Sequence, residues 1–309
     1  MKREMYRRRL IKAGNTIDVE ETYPTQFGDC LTRERYKSDI NNTPVAMQMY
    51  NEEIAIRRLT RTINENFVPN DFWVTLHYEK DNRPDTLDEA KAQLSSFITK
   101  LRAEYSKVGQ ELKYVKCTAF GSRGGIHHHL IINRALDTRI ITELWKAHIK
   151  ASIKARPPHY IEMYANGEYS SLAAYIFGQA RKTDTEFKNA RHWVCSRNLR
   201  KPQIIKQEDI EEIKWKERPT AIKGYYIEPD SIKAGCNPNT GRPYLFYRMV
   251  KIHSGFTCYD EKGRKLVGKA AMIYYRKITN QFIKDNWDKL NPDVNIIFKG
   301  EYKSEVRRN

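Results

Sequence analysis

The spacing of apolar positions changes several times along the chain, and each change marks an element. Residues 1–42 are polar and basic with little periodicity and read as an N-terminal arm. Thr43-Pro44 then opens a helix, with Thr as the cap and Pro in the first turn, and Ala55, Ile56, Leu59 and Ile63 form its apolar stripe. The helix stops near Asn66, ahead of Pro69-Asn70-Asp71. Phe72 to Tyr78 (FWVTLHY) alternates as a strand does: Val74 and Leu76 face one side, and Trp73, Thr75 and His77 face the other. Thr86-Leu87-Asp88-Glu89 has the form of a capping box and opens a helix striped by Leu87, Ala90, Leu94, Phe97, Ile98, Leu101 and Tyr105. Leu112–Phe120 and Ile126–Asn133 read as two strands joined by the glycine-rich turn Gly121-Ser122-Arg123-Gly124-Gly125. Asp137 caps a helix carrying Ile141, Leu144, Trp145 and His148. Pro157-Pro158 breaks the chain before a strand over His159–Tyr164, and a helix from about Ser170 to Lys182 follows Asn166-Gly167.

The order β-α-β-β-α-β-α predicts an α+β fold, the split βαβ or ferredoxin-like arrangement with one helix added. The first and third strands should be neighbours at the centre of an antiparallel sheet. Both helices should cover one face and leave the other free for a ligand. Beyond about residue 205 the pattern changes. Glu208–Glu217 is highly charged and reads as a linker or exposed helix. Residues 218–309 read as short strands rich in Tyr and Lys, with a late helix near Lys277–Leu290. The expected organisation is an arm (1–42), a domain over 43–205 and a smaller β-rich region over 206–309.

Charge narrows the function. With 55 Lys and Arg against 38 Asp and Glu, the net charge is +17, which attracts polyanions, and the 19 tyrosines supply rings on which unstacked bases can sit. Single-stranded nucleic acid is therefore the expected partner. No apolar run is long enough to cross a bilayer, and the basic start, Met1 to Arg9, has no apolar run behind it. A cytoplasmic protein without a membrane partner is expected. The five cysteines are scattered with no Cys-x-x-Cys pair, so neither a zinc knuckle nor a disulfide framework is indicated. Gly263-Arg264-Lys265-Leu266-Val267-Gly268-Lys269-Ala270 resembles a phosphate-binding loop, but Ala270 stands where a Ser or Thr would hold Mg²⁺, and Asp260–Gly263 reads as a hairpin turn. No nucleotide cofactor is expected.

The chemistry centres on Ile126-His127-His128-His129-Leu130. Strand alternation points His127 and His129 to one face, where two imidazoles can bind one divalent metal, and turns His128 into the core among Ile126, Leu130 and Ile132. Both outward histidines are expected to face solvent. On the last helix, Leu172, Ile176 and Ala180 form a core stripe. Tyr175 lies beside it, with Gln179 one turn on and Lys182 two turns on. There it is either a packing tyrosine or a phenol presented to the sheet face.

The strand FWVTLHY, the strand IHHHLIIN and the helix LAAYIFGQARK stand in the order of the three motifs of HUH endonucleases. The chain resembles rolling-circle replication initiators of small plasmids and phages. Asn64-Glu65-Asn66-Phe67 and Arg191-His192-Trp193-Val194-Cys195-Ser196-Arg197-Asn198-Leu199 are similar to segments flanking these motifs in relatives from mobile elements. The resemblance covers roughly residues 45–202. It implies a nickase in which His127 and His129 hold Mg²⁺ or Mn²⁺. Tyr175 would attack the scissile phosphate of single-stranded origin DNA, leaving a 5′-phosphotyrosine and a free 3′-hydroxyl. Host helicase and polymerase are implied partners. Trp73, Thr75, Arg123, Gln179 and Arg181 are the expected DNA contacts.

Three positions depart from the family pattern. Gly178 stands where many relatives carry a lysine, and Lys182 or Arg181 is the candidate substitute. The second strand, Lys116-Cys117-Thr118-Ala119-Phe120, lacks a ligand carboxylate; His77 is either its replacement or a DNA contact or spectator. No tyrosine lies four residues from Tyr175, and Tyr164 and Tyr169 lie upstream, so a single nucleophile is expected. A conjugative relaxase or single-strand transposase would share this chemistry. A non-catalytic nucleic-acid-binding protein would instead show aromatics where the histidines stand. A metal hydrolase would need carboxylates near them and no Tyr175.

Overall fold

The computed structural model describes residues 6–23, 45–121, 125–152, 157–163, 166–186, 193–210, 219–238, 243–253 and 257–290. In chain order the elements begin with strands β1 (Tyr6–Ala13) and β2 (Thr16–Thr22), helix α1 (Val45–Asn66), β3 (Phe72–His77) and α2 (Leu87–Lys107). The hairpin β4 (Tyr114–Phe120) and β5 (Ile126–Ile132) follows, then α3 (Thr138–His148), β6 (His159–Glu162), α4 (Ser170–Glu186) and β7 (Val194–Cys195). Strands β8 (Gln203–Ile210), β9 (Tyr225–Cys236), β10 (Pro243–Lys251), β11 (Thr257–Tyr259) and β12 (Lys265–Val267) lead into α5 (Gly268–Leu290). The elements fall into two compact units, one drawn from Met1–Ala55 and Pro202–Asn309, the other from Ile56–Lys201.

The first unit is built on an antiparallel sheet of order β8-β1-β2-β10-β9. The stretch read as an arm therefore supplies two strands. Its basic run is matched by acids on both neighbours: Arg7 bonds Asp209 of β8 at 2.8 Å, and Arg8 bonds Glu21 of β2 at 2.6 Å. Apolar alternation is hard to see where half the side chains are charges with cross-strand partners. The same pairing explains why Glu208–Ile210 is strand and not linker or helix; residues 211–218 lie outside the described residues. The core beneath this sheet is Ile17, Val19, Ile227, Ile232, Leu245, Met249 and Ile283. An ion pair is buried with it. Arg248 holds both oxygens of Asp18, directly opposite it in register, at 2.7 and 3.0 Å. Asp260–Gly263 is a hairpin turn, with Gly263 at φ +72°, and α5 begins at Gly268, earlier than the apolar pattern indicated.

The second unit carries the paired histidines. Its sheet is antiparallel with order β6-β3-β5-β4-β7, so the first and third strands of the predicted set, β3 and β5, are central neighbours. One face is covered by α2 and α3, which bury Phe97, Leu101 and Trp145 against Val74, Leu76, Leu130 and Ile132. Helix α2 starts at its expected cap: Thr86 accepts from the Glu89 N–H at 3.1 Å, while the Glu89 carboxylate reaches back to the Asp85 N–H at 3.1 Å.

The other face is not left free. The C-terminal part of α1, through Leu59, Ile63 and Phe67, and α4, through Leu172, Ala173, Ile176 and Ala180, pack with Val115, Cys117, Ala119 and Ile131. Helices with apolar stripes must bury them, and the small side chains of Ala173 and Ala180 let α4 approach the strands closely. What is left less covered is the end of that face where His77 and His127 are half-buried.

Candidate active site

Register sets the cluster. β3 and β5 pair so that Thr75 stands opposite His129 and His77 opposite His127. All four side chains project from the face that α4 partly covers. His127 and His129 turn their Nε2 atoms toward each other at 3.1 Å. Their outer nitrogens are also engaged: His127 Nδ1 lies 3.3 Å from the Gly125 carbonyl oxygen, and His129 Nδ1 lies 3.2 Å from Thr75 Oγ1. The expectation that both histidines face solvent holds in part. His127 is half-buried, but His129 is 3% exposed, since Trp73 and Tyr175 stack beside it.

His128 points the other way, as alternation requires, and is fully buried. Tyr78 Oη lies 2.7 Å from its Nε2 and Thr118 Oγ1 lies 2.9 Å from its Nδ1. The run of three histidines is thus one buried and doubly hydrogen-bonded side chain between two that converge on the opposite face.

Helix α4 brings the phenol. Glu168 caps its first turn, accepting from the Ser170 N–H at 3.0 Å, and Asn64 of α1 accepts from the Tyr169 N–H at 3.0 Å. With the helix start tied down and its apolar stripe sunk in the core, Tyr175 stays 40% exposed. Its ring stands edge-on to Trp73 and His129, with centroids 5.1 and 5.3 Å away. Tyr169, by contrast, is wholly buried.

Burial governs the electrostatics. It lowers the His129 imidazole to about 3, assisted by His127 and His77, and lowers His127, with the Gly125 carbonyl acting in the opposite sense. His128 is also lowered to about 3, chiefly by burial. The Tyr175 phenol is raised, again first by burial and then by Cys117. The cluster therefore holds neutral imidazoles and a protonated phenol near neutral pH.

These shifts make stability pH-dependent. An unfolded histidine binds a proton near pH 6.5, whereas folded His128 and His129 resist it down to about 3. The unfolded chain binds more protons throughout that window, so stability falls with acid by up to about 1.4 kcal/mol per pH unit for each histidine. The urea midpoint should be flat from pH 8 to 7 and drop steadily from 6.5 to 4.5, above the carboxylate range. A midpoint constant over the lower window contradicts this.

The other expected site residues separate. Trp73 lies against Tyr175 and His129, and Thr75 against His129. His77 and His127 rings are 6.1 Å apart at their centroids. Among the described residues no three of His, Cys, Asp or Glu group as metal ligands. On β4 the positions opposite His129 and His127 are Cys117 and Ala119, so this strand offers no carboxylate there. Gln179 is half-buried one turn beyond Tyr175. Arg123 and Tyr164 lie outside the described residues, as do the side chains of Arg181 and Lys182, whose backbone belongs to α4. At Gly178 an added Cβ would meet nothing within 4 Å, so the site's own helix carries open space where many relatives carry a cation.

One neighbour was not singled out from the sequence. The Arg83 guanidinium lies over Gly125, and a Cβ at 125 would stand 3.2 Å from one of its nitrogens. This places an exposed cation beside the residue whose carbonyl meets His127. An arginine ahead of a proline in a turn carries no pattern that would have marked it.

The second unit is thus an antiparallel sheet that brings two converging imidazoles and an exposed phenol to one place. Residues 71–184 match the model of a family of replication-associated proteins, the ORF2 family. The match runs from the start of β3 into α4 and includes the histidine strand and Tyr175, so the chain's similarity is to proteins of DNA replication. Neither the search of curated proteins nor the search of solved structures gives a match. No helix among the described residues is long and apolar enough to cross a membrane.

Proposed function

We propose that the chain is an HUH-type replication initiator that nicks single-stranded origin DNA and stays joined to it through Tyr175. The observation that carries this reading is the convergence of His127 and His129 at 3.1 Å beside the exposed Tyr175 ring. The family match and the strand order β6-β3-β5-β4, which a split βαβ arrangement has, support it.

The two histidines fit a divalent cation. Two nitrogens about 2.1 Å from one ion at a right angle stand about 3 Å apart. Two neutral imidazoles with outer nitrogens engaged are a nitrogen donor set that suits Mn²⁺ better than Mg²⁺, a hard cation that prefers oxygen. His77, across from His127, is the nearest candidate for a third ligand, and water and phosphate oxygens would complete the shell. When bound, the ion would polarise the scissile phosphate and offset charge at phosphorus.

The chain's own residues do the rest. Tyr175 Oη attacks phosphorus and forms the phosphotyrosine bond; the bond from phosphorus to the 3′-oxygen breaks. The phenolic proton passes to solvent, and the departing oxygen takes one up to become the 3′-hydroxyl. Trp73 fixes the Tyr175 ring edge-on, and Arg83 offers a cation for the DNA backbone beside the His127 end. Lys182 and Arg181, further along α4, are proposed as additional cations, Arg123 and Gln179 as DNA contacts, and host helicase and polymerase as partners downstream of the nick.

The test is incubation with single-stranded DNA of the replicon that encodes the chain, with Mn²⁺, followed by a denaturing gel. A covalent protein–DNA band is expected; cleavage without a band would point to a water-using hydrolase. Binding should also weaken with salt in the way counterion release dictates. A site neutralising about five phosphates gives a slope of log K against log salt near −3.5 on single strands. An affinity unchanged from 50 mM to 200 mM salt, roughly the range over which this term is strong, contradicts charge-driven binding.

A further inference from the structure

The hydrogen bonds around the paired histidines form a chain whose direction can be read from its ends. The Gly125 carbonyl can only accept, so His127 carries its proton on Nδ1 and presents a bare lone pair at Nε2. His129 Nε2 stands 3.1 Å from that lone pair. Two bare nitrogens at that distance repel. In the metal-free protein the proton of His129 therefore sits on Nε2 and is donated to His127. His129 Nδ1 is then an acceptor, and the Thr75 hydroxyl, at 3.2 Å, donates to it.

A cation between the two Nε2 atoms demands the reverse. His129 must clear Nε2 and carry its proton on Nδ1, where it needs an acceptor. A hydroxyl is a group that can be donor in the first state and acceptor in the second without moving, by rotating one O–H bond. A valine has the shape and neither capacity; a carboxylate could only accept.

We infer that Thr75 is a positioning residue whose hydroxyl serves both tautomers of His129 and so lets the buried imidazole exchange a proton for a metal ion. The proton leaves Nε2 for solvent and one is regained at Nδ1, so the imidazole stays neutral throughout. This rests on the reading of His127 and His129 as metal ligands. It gives Thr75 a role different from that of a DNA contact, because its hydroxyl is turned to His129.

The test needs no DNA. Mn²⁺ binding to the full chain is followed by the electron paramagnetic resonance signal of the free ion. Thr75→Val should weaken binding about 10- to 100-fold, the usual loss when a metal ligand's hydrogen-bond partner is removed, and Thr75→Ser should stay within about threefold. Nitrogen-15 chemical shifts of the metal-free protein should report His129 with its proton on Nε2 and His127 with its proton on Nδ1. If Thr75→Val binds Mn²⁺ like the parent while His129→Ala does not, the role of Thr75 is overturned and the metal reading stands. If metal-free His129 carries its proton on Nδ1, the exchange is overturned. If the parent chain binds no Mn²⁺, the metal reading falls and the exchange with it.

Discussion

Tyr175→Phe should eliminate the covalent protein–DNA adduct while leaving single-stranded DNA affinity within a few-fold of the parent. The substitution removes one oxygen from a ring that keeps its edge contacts with Trp73 and His129, so neither the fold nor the DNA surface has reason to change. The phenol is a weak nucleophile at neutral pH, and burial raises its pKa further, so no background reaction should survive its loss. Tyr169→Phe should retain the adduct, because that ring is buried in the core; Tyr164→Phe should retain it too. Mass spectrometry of a nuclease-trimmed adduct should place the nucleotide on a peptide containing Tyr175. A nucleotide on any other tyrosine, or an adduct formed by Tyr175→Phe, would show the assignment to be wrong.

The three adjacent histidines should separate into two kinds of defect. His128→Ala leaves a cavity and orphans both Tyr78 Oη and Thr118 Oγ1 in the core. It should lower stability by about 3–5 kcal/mol, the range for losing a buried ring, read from urea denaturation. His127→Ala, at a half-buried position, should shift stability by less than about 1 kcal/mol and yet abolish nicking. His129→Ala should also abolish nicking, with an intermediate loss of stability of about 1–3 kcal/mol, because Thr75 loses its partner in a site that excludes water. A stable, inactive His128→Ala together with an active His127→Ala would invert the reading of the strand.

Alternation made the split among these histidines legible in the sequence. A strand of known phase sends neighbours to opposite faces, and the apolar company of His128 set the phase. The element order of residues 45–186 was legible for the same reason: periods of 2 and 3.6 in apolar positions survive wherever one side of an element is buried. The signal failed at Tyr6–Thr22. There the strands' outward positions are arginines and glutamates that partner one another across the sheet, and a charged ladder looks like a solvated arm until its neighbours are known. It failed at Gln203–Ile210 for the same cause. It failed also at the start of α5, where Lys265–Val267 and Gly268–Lys277 carry no contrast of apolar and polar residues strong enough to mark the change from strand to helix.

The sequence by itself determined the residue types of the candidate site and their order along the chain, because strand and helix periods are local. Only the tertiary structure decided their distances. That Thr75 stands across from His129 and His77 across from His127 depends on a strand register between segments some fifty residues apart, and a slip of one residue would have turned every partner to the other face. The cover over the sheet was likewise decided in three dimensions. Helices α1 and α4 must bury their stripes somewhere, and no local pattern says that they do so on the histidine face, where α4 carries Tyr175 to the sheet and closes His129 from water. Arg83 reaches Gly125 by the same route, through a loop whose path is set by the strands at its ends.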